Sequence, residues 1–84
     1  MPACFVYVLQ SKKSQRHYVG VTSDVVQRVG QHNAGVTKST NRGPWELVRQ
    51  EMFASRSEAL RRERFLKSGK GREELKRILF GVLE

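Results

Sequence analysis

The first apolar run, Cys4 to Leu9 (CFVYVL), is crowded with β-branched and aromatic side chains and gives way to the polar stretch QSKKSQR. A second short run, HYVGV, starts at His17. Two such runs across a polar break predict a β-hairpin. With its turn centred near Lys13 and Ser14, Leu9 faces Tyr18 and Tyr7 faces Gly20, and the two-residue repeat puts both tyrosines on one side of the sheet. Beyond it, Asp24 and Gln27 form a capping pair for a short helix whose Val25, Val26, Val29 and His32 recur at helical spacing until Gly35. Three valines and Gly30 are poor helix formers, so tertiary packing must hold this element. GVTKSTNRGP reads as loop, and WELVRQEMF, Trp45 to Phe53, alternates as a third strand. Trp45, at a strand start beside Pro44, is read as core in preference to a base-stacking platform. Ser55 and Glu58 make an S-x-x-E capping box that opens a helix through SEALRRERFLKSG. GREELKRILFGVLE continues as a last helix, amphipathic through Leu75, Ile78, Leu79 and Val82. The order is β-β-α-β-α-α, an α+β pattern.

Composition narrows what such a fold can do. Eighty-four residues support one core, so a single domain over residues 1–84 is expected. Sixteen Lys and Arg against eight Asp and Glu leave a net charge of +8, spread from Lys12 to Arg77. A broad cationic surface attracts polyanions and gains from counterion release on phosphates, which makes nucleic acid the leading partner class. Cys4 is the single cysteine, so no intramolecular disulfide forms and a reducing cytoplasm fits. The opening MPACFVYVLQSKK is too short an apolar run to span a bilayer and lacks the basic lead of a secretory signal, so no membrane partner is expected.

One carboxylate breaks the pattern. Ala59, Leu60, Leu66 and the stem of Lys67 share the stripe of the fourth element expected to meet the core, and Glu63 falls on it too, while Arg61, Arg62 and Arg64 are expected to point elsewhere. A buried lone carboxylate costs several kcal/mol unless a cation answers it. Either an arginine from another element pairs with it, or the helix turns it to the solvent edge, or it serves a site. Arg28 and His32, spaced i, i+4 on the first helix, project together next to the strand that carries Tyr18.

These residues resemble the GIY-YIG nuclease superfamily and its small stand-alone bacterial members. Val6-Tyr7 is similar to the end of the first motif and Tyr18-Val19-Gly20 to the second. Arg28 falls where the family keeps its arginine, and His32-Asn33-Ala34-Gly35 resembles an H-N-x-G segment. Thr40 to Val48 is similar to the entry into the third strand, and Arg62-Glu63 with Leu66-Lys67 matches R-E-x-x-L-K. The resemblance implies a small three-stranded antiparallel sheet flanked by helices, carrying a metal-dependent phosphodiesterase site. Glu63 would be the metal ligand, for Mg2+ or Mn2+, and Arg28 would stabilise phosphate charge. Tyr7 and Tyr18 would position or deprotonate the attacking water, with His32 as hydrogen-bond partner or proton shuttle. A tyrosine is a poor base at neutral pH, so Arg28 and a metal would have to favour its phenolate. Phe5 replaces the glycine of the first motif, Val21 stands where some members have a lysine, and Leu75 lies where several carry an asparagine.

The expected activity is an endonuclease acting on DNA, in repair or recombination, with a protein partner supplying substrate specificity. Two readings compete with it. A non-catalytic nucleic-acid-binding module would bind through Lys12, Lys13, Arg16, Lys38 and Arg42, with affinity falling steeply with salt. An adaptor would present Arg61, Arg62 and Arg64 to an acidic protein.

Overall fold

The computed structural model describes residues 3–14, 16–34 and 44–80, with side chains to residue 79. Three strands, β1 (Cys4–Ser11), β2 (His17–Thr22) and β3 (Trp45–Phe53), alternate with helices α1 (Val25–Asn33), α2 (Arg56–Leu66) and α3 (Gly69–Phe80) in the order β-β-α-β-α-α. The sheet is antiparallel with strand order β2-β1-β3. The central strand therefore has a layer on each side. Val6, Tyr7, Val8 and Leu9 are all at most 2% exposed, which is why β1 reads as a continuous apolar run.

Side-chain alternation sorts the core into two halves. Val6, Val8 and Val19 face Ala59, Leu66 and Leu75 of α2 and α3. Tyr7 and Leu9 face Val25 and Val29 of α1, together with Trp45 and Tyr18. The hairpin closes on Ser11, which is fully buried: its Oγ accepts from the amides of Lys13 (3.2 Å) and Ser14 (3.1 Å), and its own amide donates to the carbonyl of Arg16 (2.8 Å). The expected register follows, with Tyr7 opposite Gly20 and Leu9 opposite Tyr18.

The third strand departs from simple alternation. Val8 pairs with Arg49 but Leu9 pairs with Leu47, so Val48 is an extra residue in the ladder. Such a bulge moves every later side chain to the opposite face. Met52 and Gln50 lie opposite Phe5 and Tyr7, and beyond the bulge Leu47 and Trp45 lie opposite Leu9 and Ser11, so Trp45 is carried onto the tyrosine face. There it is buried against Tyr18, with ring centroids 6.5 Å apart, as core.

Helix α1 starts as expected, with Asp24 Oδ1 accepting from the Gln27 amide at 3.0 Å, but it ends at Asn33 with Ala34 as its C-cap; Gly35 lies outside the described residues. In α2 the Ser55 cap is present, its Oγ accepting from the Glu58 amide at 3.3 Å. The orientation of α2 corrects two expectations. Leu60 is 37% exposed, and Arg62 sits on the buried side between Ala59 and Leu66, where Glu51 of β3 and Glu74 of α3 neutralise it. Its Nε and Nη2 donate to the two Glu51 oxygens at 2.9 and 3.1 Å, and Nη2 also reaches Glu74 at 3.2 Å. Arg49 donates to the same Glu51 at 2.8 Å. Burial pushes the Glu51 carboxyl up, but the bonds from Arg62 and Arg49 outweigh it and hold the group below its ordinary value. Arg62 thus locks three elements together, while Arg61 and Arg64, like Arg56 in the first turn, are exposed.

At the α2–α3 junction Ser68 Oγ donates to the Phe65 carbonyl at 2.6 Å and accepts from the Gly71 amide at 3.2 Å. A Cβ at Gly71 would run into the backbone of Phe65 and Leu66, so the two helices meet closely only with glycine there. Leu75 is buried and Leu79 packs beside it, as the amphipathic pattern predicts; Val82 lies outside the described residues.

Candidate active site

The tyrosine face of the sheet brings together residues from four elements. Tyr7 comes from the centre of β1, Tyr18 from the edge strand β2, His32 from the last turn of α1, and Lys67 from the C-cap of α2. The Tyr7 hydroxyl lies 2.9 Å from His32 Nε2, and both side chains are at most 2% exposed. Tyr18 packs on both, with its ring centroid 4.8 Å from His32 and 6.2 Å from Tyr7. Room for the Tyr7 ring comes from the residue opposite: a Cβ on Gly20 would stand 2.6 Å from the Tyr7 hydroxyl oxygen. The glycine of the Y-V-G triplet is thus required by a side chain on the neighbouring strand.

Electrostatics define the state of the pair. Burial pushes the Tyr7 phenol well above its usual value, the neighbouring Tyr18 adds to this both by charge and by hydrogen bonding, and Glu63 pushes the same way. Arg28 pulls it down, but by less than burial raises it. Burial, helped by the Arg28 guanidinium, holds His32 below its ordinary 6.5. Both partners are therefore neutral near pH 7. Their bond is a phenol donating to Nε2, or in the other imidazole tautomer an Nε2–H donating to the phenol. The expectation that Arg28 moves a tyrosine toward phenolate is met in sign at Tyr7 and overridden by desolvation.

Glu63 comes from α2, which packs on the opposite face of the sheet, yet it is near enough to act electrostatically on the Tyr7 phenol. Its side chain is 22% exposed, and among the described residues the cation that answers it is Lys67 at the end of the same helix, Nζ to Oε2 3.1 Å, and not an arginine from another element. That ammonium also stands 6.0 Å from the centre of the Tyr18 ring, within cation–π range. Lys67 thereby joins the acid to the tyrosines. Among the described residues no group of three His, Cys, Asp or Glu side chains gathers, so Glu63 offers a lone carboxylate to a cation.

Of the cations expected to meet nucleic acid, Lys12, Lys13 and Arg16 are exposed on the β1–β2 connection, and Lys38 and Arg42 lie outside the described residues. Sequence reasoning passed over Asn33. Its Oδ1 accepts from the Trp45 amide at 2.6 Å and its Nδ2 donates to the Trp45 carbonyl at 3.1 Å, so the residue next to His32 clips the start of β3 to the end of α1. The signal for it is an amide side chain beside a helix end, where the backbone needs partners. Lys67 was also missed as a member of the site, although the i, i+4 spacing Glu63/Lys67 is legible.

Comparison with known proteins identifies the family. The model of the GIY-YIG catalytic domain matches residues 3–76. A UPF0213 protein from Staphylococcus haemolyticus is 41% identical over 76 residues, covering 88% of this chain and 92% of that protein. The structure-specific endonuclease subunit SLX1 of Meyerozyma guilliermondii is 38% identical over 73 residues, covering 77% of this chain but 25% of that protein. The solution structure of a UPF0213 protein from Bacillus halodurans superposes with a TM-score of 0.56 at 34% identity, covering 90% of this chain and 84% of that one. With its two tyrosine motifs paired in register and the family model spanning residues 3–76, the chain belongs to the GIY-YIG catalytic-domain family.

Proposed function

We propose that this chain is a metal-dependent endonuclease that hydrolyses DNA phosphodiester bonds, working in the cytoplasm in DNA repair or recombination. The observation that carries the reading is that two phenols, an imidazole, a guanidinium and a carboxylate, drawn from β1, β2, α1 and α2, lie close enough to act on one another in a strongly basic domain. Phosphodiester hydrolysis needs these parts: a group to orient water, positive charge for the phosphate, and an anchor for a hard cation.

Glu63 suits Mg2+ or Mn2+. A lone carboxylate leaves most of the coordination sphere to water and phosphate oxygens, an arrangement Mg2+ accepts readily. A bound cation would polarise the phosphoryl oxygen and neutralise charge as the bond breaks. Arg28 supplies a fixed guanidinium for the phosphate. Tyr18, on the edge strand and less buried than Tyr7, is the phenol that water can reach, and it orients the attacking molecule. Tyr7 and His32, neutral and buried, hold Tyr18 in place. Lys67 supplies a phosphate-directed cation from the end of α2.

A protein partner is proposed to choose the substrate, a reading supported by the similarity to a relative whose name marks it as the subunit of an assembly. The test is cleavage of branched, nicked and single-stranded DNA with Mg2+ or Mn2+, comparing the natural chain with Glu63→Ala. Metal-dependent cutting lost in the variant supports the enzyme. Equal cutting by both proteins points to a contaminant and ends the assignment, and DNA binding without cutting by either leaves a binding module.

A further inference from the structure

Beside the tyrosine cluster, a cleft of about 540 Å3 runs along the open edge of β2 toward α3. Its walls are cationic: Arg16 before β2, Lys67 at the end of α2, and Arg72 and Lys76 one turn apart on α3. Among the described residues no carboxylate lines it. Arg16, Arg72 and Lys76 are exposed, and among the described residues none of the three takes part in an ion pair. Its floor is apolar, made by Val19, Leu66 and Leu75, all at most 6% exposed. Two of its residues, Tyr18 and Lys67, belong to the candidate site as well.

We propose that this cleft holds one unpaired nucleotide of the substrate strand next to the scissile phosphate, its base on the Val19–Leu66–Leu75 floor and its phosphates on Arg16, Arg72 and Lys76. Positive walls around an apolar floor match a ligand that is anionic along one side and flat and apolar on the other. A strand of nucleic acid has both properties at every residue. Within a duplex the bases are stacked inside and only an unpaired one can reach a floor of this kind. The volume falls within the roughly 300–1,000 Å3 typical of small-ligand sites, large enough for a nucleotide and too small for a double helix. Sharing Tyr18 and Lys67 places the held nucleotide beside the bond to be cut, so the cleft selects DNA that is open at that point. This rests on the nucleic-acid part of the proposed function and not on the hydrolysis.

The test is fluorescence anisotropy in EDTA with a labelled twelve-nucleotide oligothymidylate, a blunt duplex of equal length, and an abasic strand of equal charge. The proteins are the natural chain, Arg72→Gln/Lys76→Gln, and Arg61→Gln/Arg64→Gln as a control of equal charge change on α2. The expected result is single strand bound at least ten-fold tighter than duplex and abasic strand, with a ten-fold or greater loss in the α3 variant alone. The slope of log affinity against log salt should fall by about 1.4 in that variant, two phosphates at about 0.7 each. Equal losses in the two variants, or equal binding of single strand, duplex and abasic strand, overturn the proposal. Binding that follows the expected pattern without metal-dependent cleavage removes the hydrolase and keeps the cleft. Metal-dependent cleavage with unaltered binding in the α3 variant removes the cleft and keeps the hydrolase.

Discussion

The hydroxyl of Tyr7 and Nε2 of His32 stand 2.9 Å apart across 25 positions of sequence, and they tie the middle of the sheet to the end of a helix built from poor helix formers. A buried neutral hydrogen bond contributes about 1 kcal/mol net, and leaving one partner unpaired costs about 1–3 kcal/mol. Tyr7→Phe and His32→Ala should therefore each destabilise by more than their packing loss, and their double variant should lose less than the sum. The measurement is a double-mutant cycle in urea, with a coupling of about 1 kcal/mol expected. Additivity within about 0.3 kcal/mol would mean that the bond contributes nothing.

Stability should fall as the medium turns acidic. His32 and His17 are both held below the ordinary 6.5 by burial, His32 with help from Arg28. The unfolded chain then takes up protons at pH values where the folded one does not, so the unfolded state gains as pH drops through 6.5. Above that pH both states are neutral at these positions and the effect vanishes. Urea midpoints at pH 7.5, 6.5 and 5.5 should decline, and His32→Gln should flatten the decline. A midpoint that rises on acidification would contradict the burial argument.

The hairpin register is legible because a turn position and a two-residue repeat leave no freedom once the apolar runs are located. The bulge at Val48 is not, since WELVRQEMF alternates acceptably in two registers and only pairing with β1 chooses between them. Spacing alone puts Glu63 on the inward stripe of α2, and only the family resemblance gives it a place in a site. The burial of Arg62 cannot, because it depends on Glu51 and Glu74, 11 and 12 positions away on other elements. Arg28 could be assigned its influence on the phenols beforehand, but the size of the opposing desolvation needs the packing around Tyr7.

Two glycines should respond oppositely to alanine. At Gly20 the new Cβ would press into the Tyr7 ring, and overpacking of a filled core costs about 1–3 kcal/mol. At Gly30 a Cβ meets nothing within 4 Å, and the exposed helical site should gain up to about 1 kcal/mol. In a domain of this size 1 kcal/mol moves Tm by about 4–8 °C, so thermal melts should separate the two variants clearly. A stabilised Gly20→Ala would show that the Tyr7 ring has room to move.

Arg62 should matter to the fold more than Arg61 or Arg64. Removing it strands Glu51, whose side chain is 14% exposed, with Arg49 as its remaining partner. Fully buried pairs cost about 3–5 kcal/mol when broken; with Arg62 itself 23% exposed, about 2–3 kcal/mol is expected for Arg62→Ala. Arg61→Ala and Arg64→Ala should stay within about 0.5 kcal/mol. Equal, small losses at all three positions would assign the arginines of α2 to the surface alone.

On the proposed reading, Lys67 and a divalent cation would compete for the Glu63 carboxylate. The Lys67 ammonium lies 3.1 Å from Glu63 Oε2, and a lysine that is 51% exposed gives up such a partner at a cost of about 0.5 kcal/mol. Removing the ammonium leaves Glu63 with one positive neighbour fewer and a freer face for a cation. Lys67→Ala should therefore bind Mn2+ several-fold more tightly than the natural chain, read from the loss of the free Mn2+ signal in electron paramagnetic resonance. Glu63→Ala should abolish this binding while its Tm stays within a few degrees, since the lost pair is weak. On the proposed reading, cleavage by Lys67→Ala should not rise with its metal affinity, because the same ammonium would serve the phosphate beside Tyr18. Unchanged Mn2+ affinity in Lys67→Ala, together with full affinity in Glu63→Ala, would move the metal site away from α2 altogether.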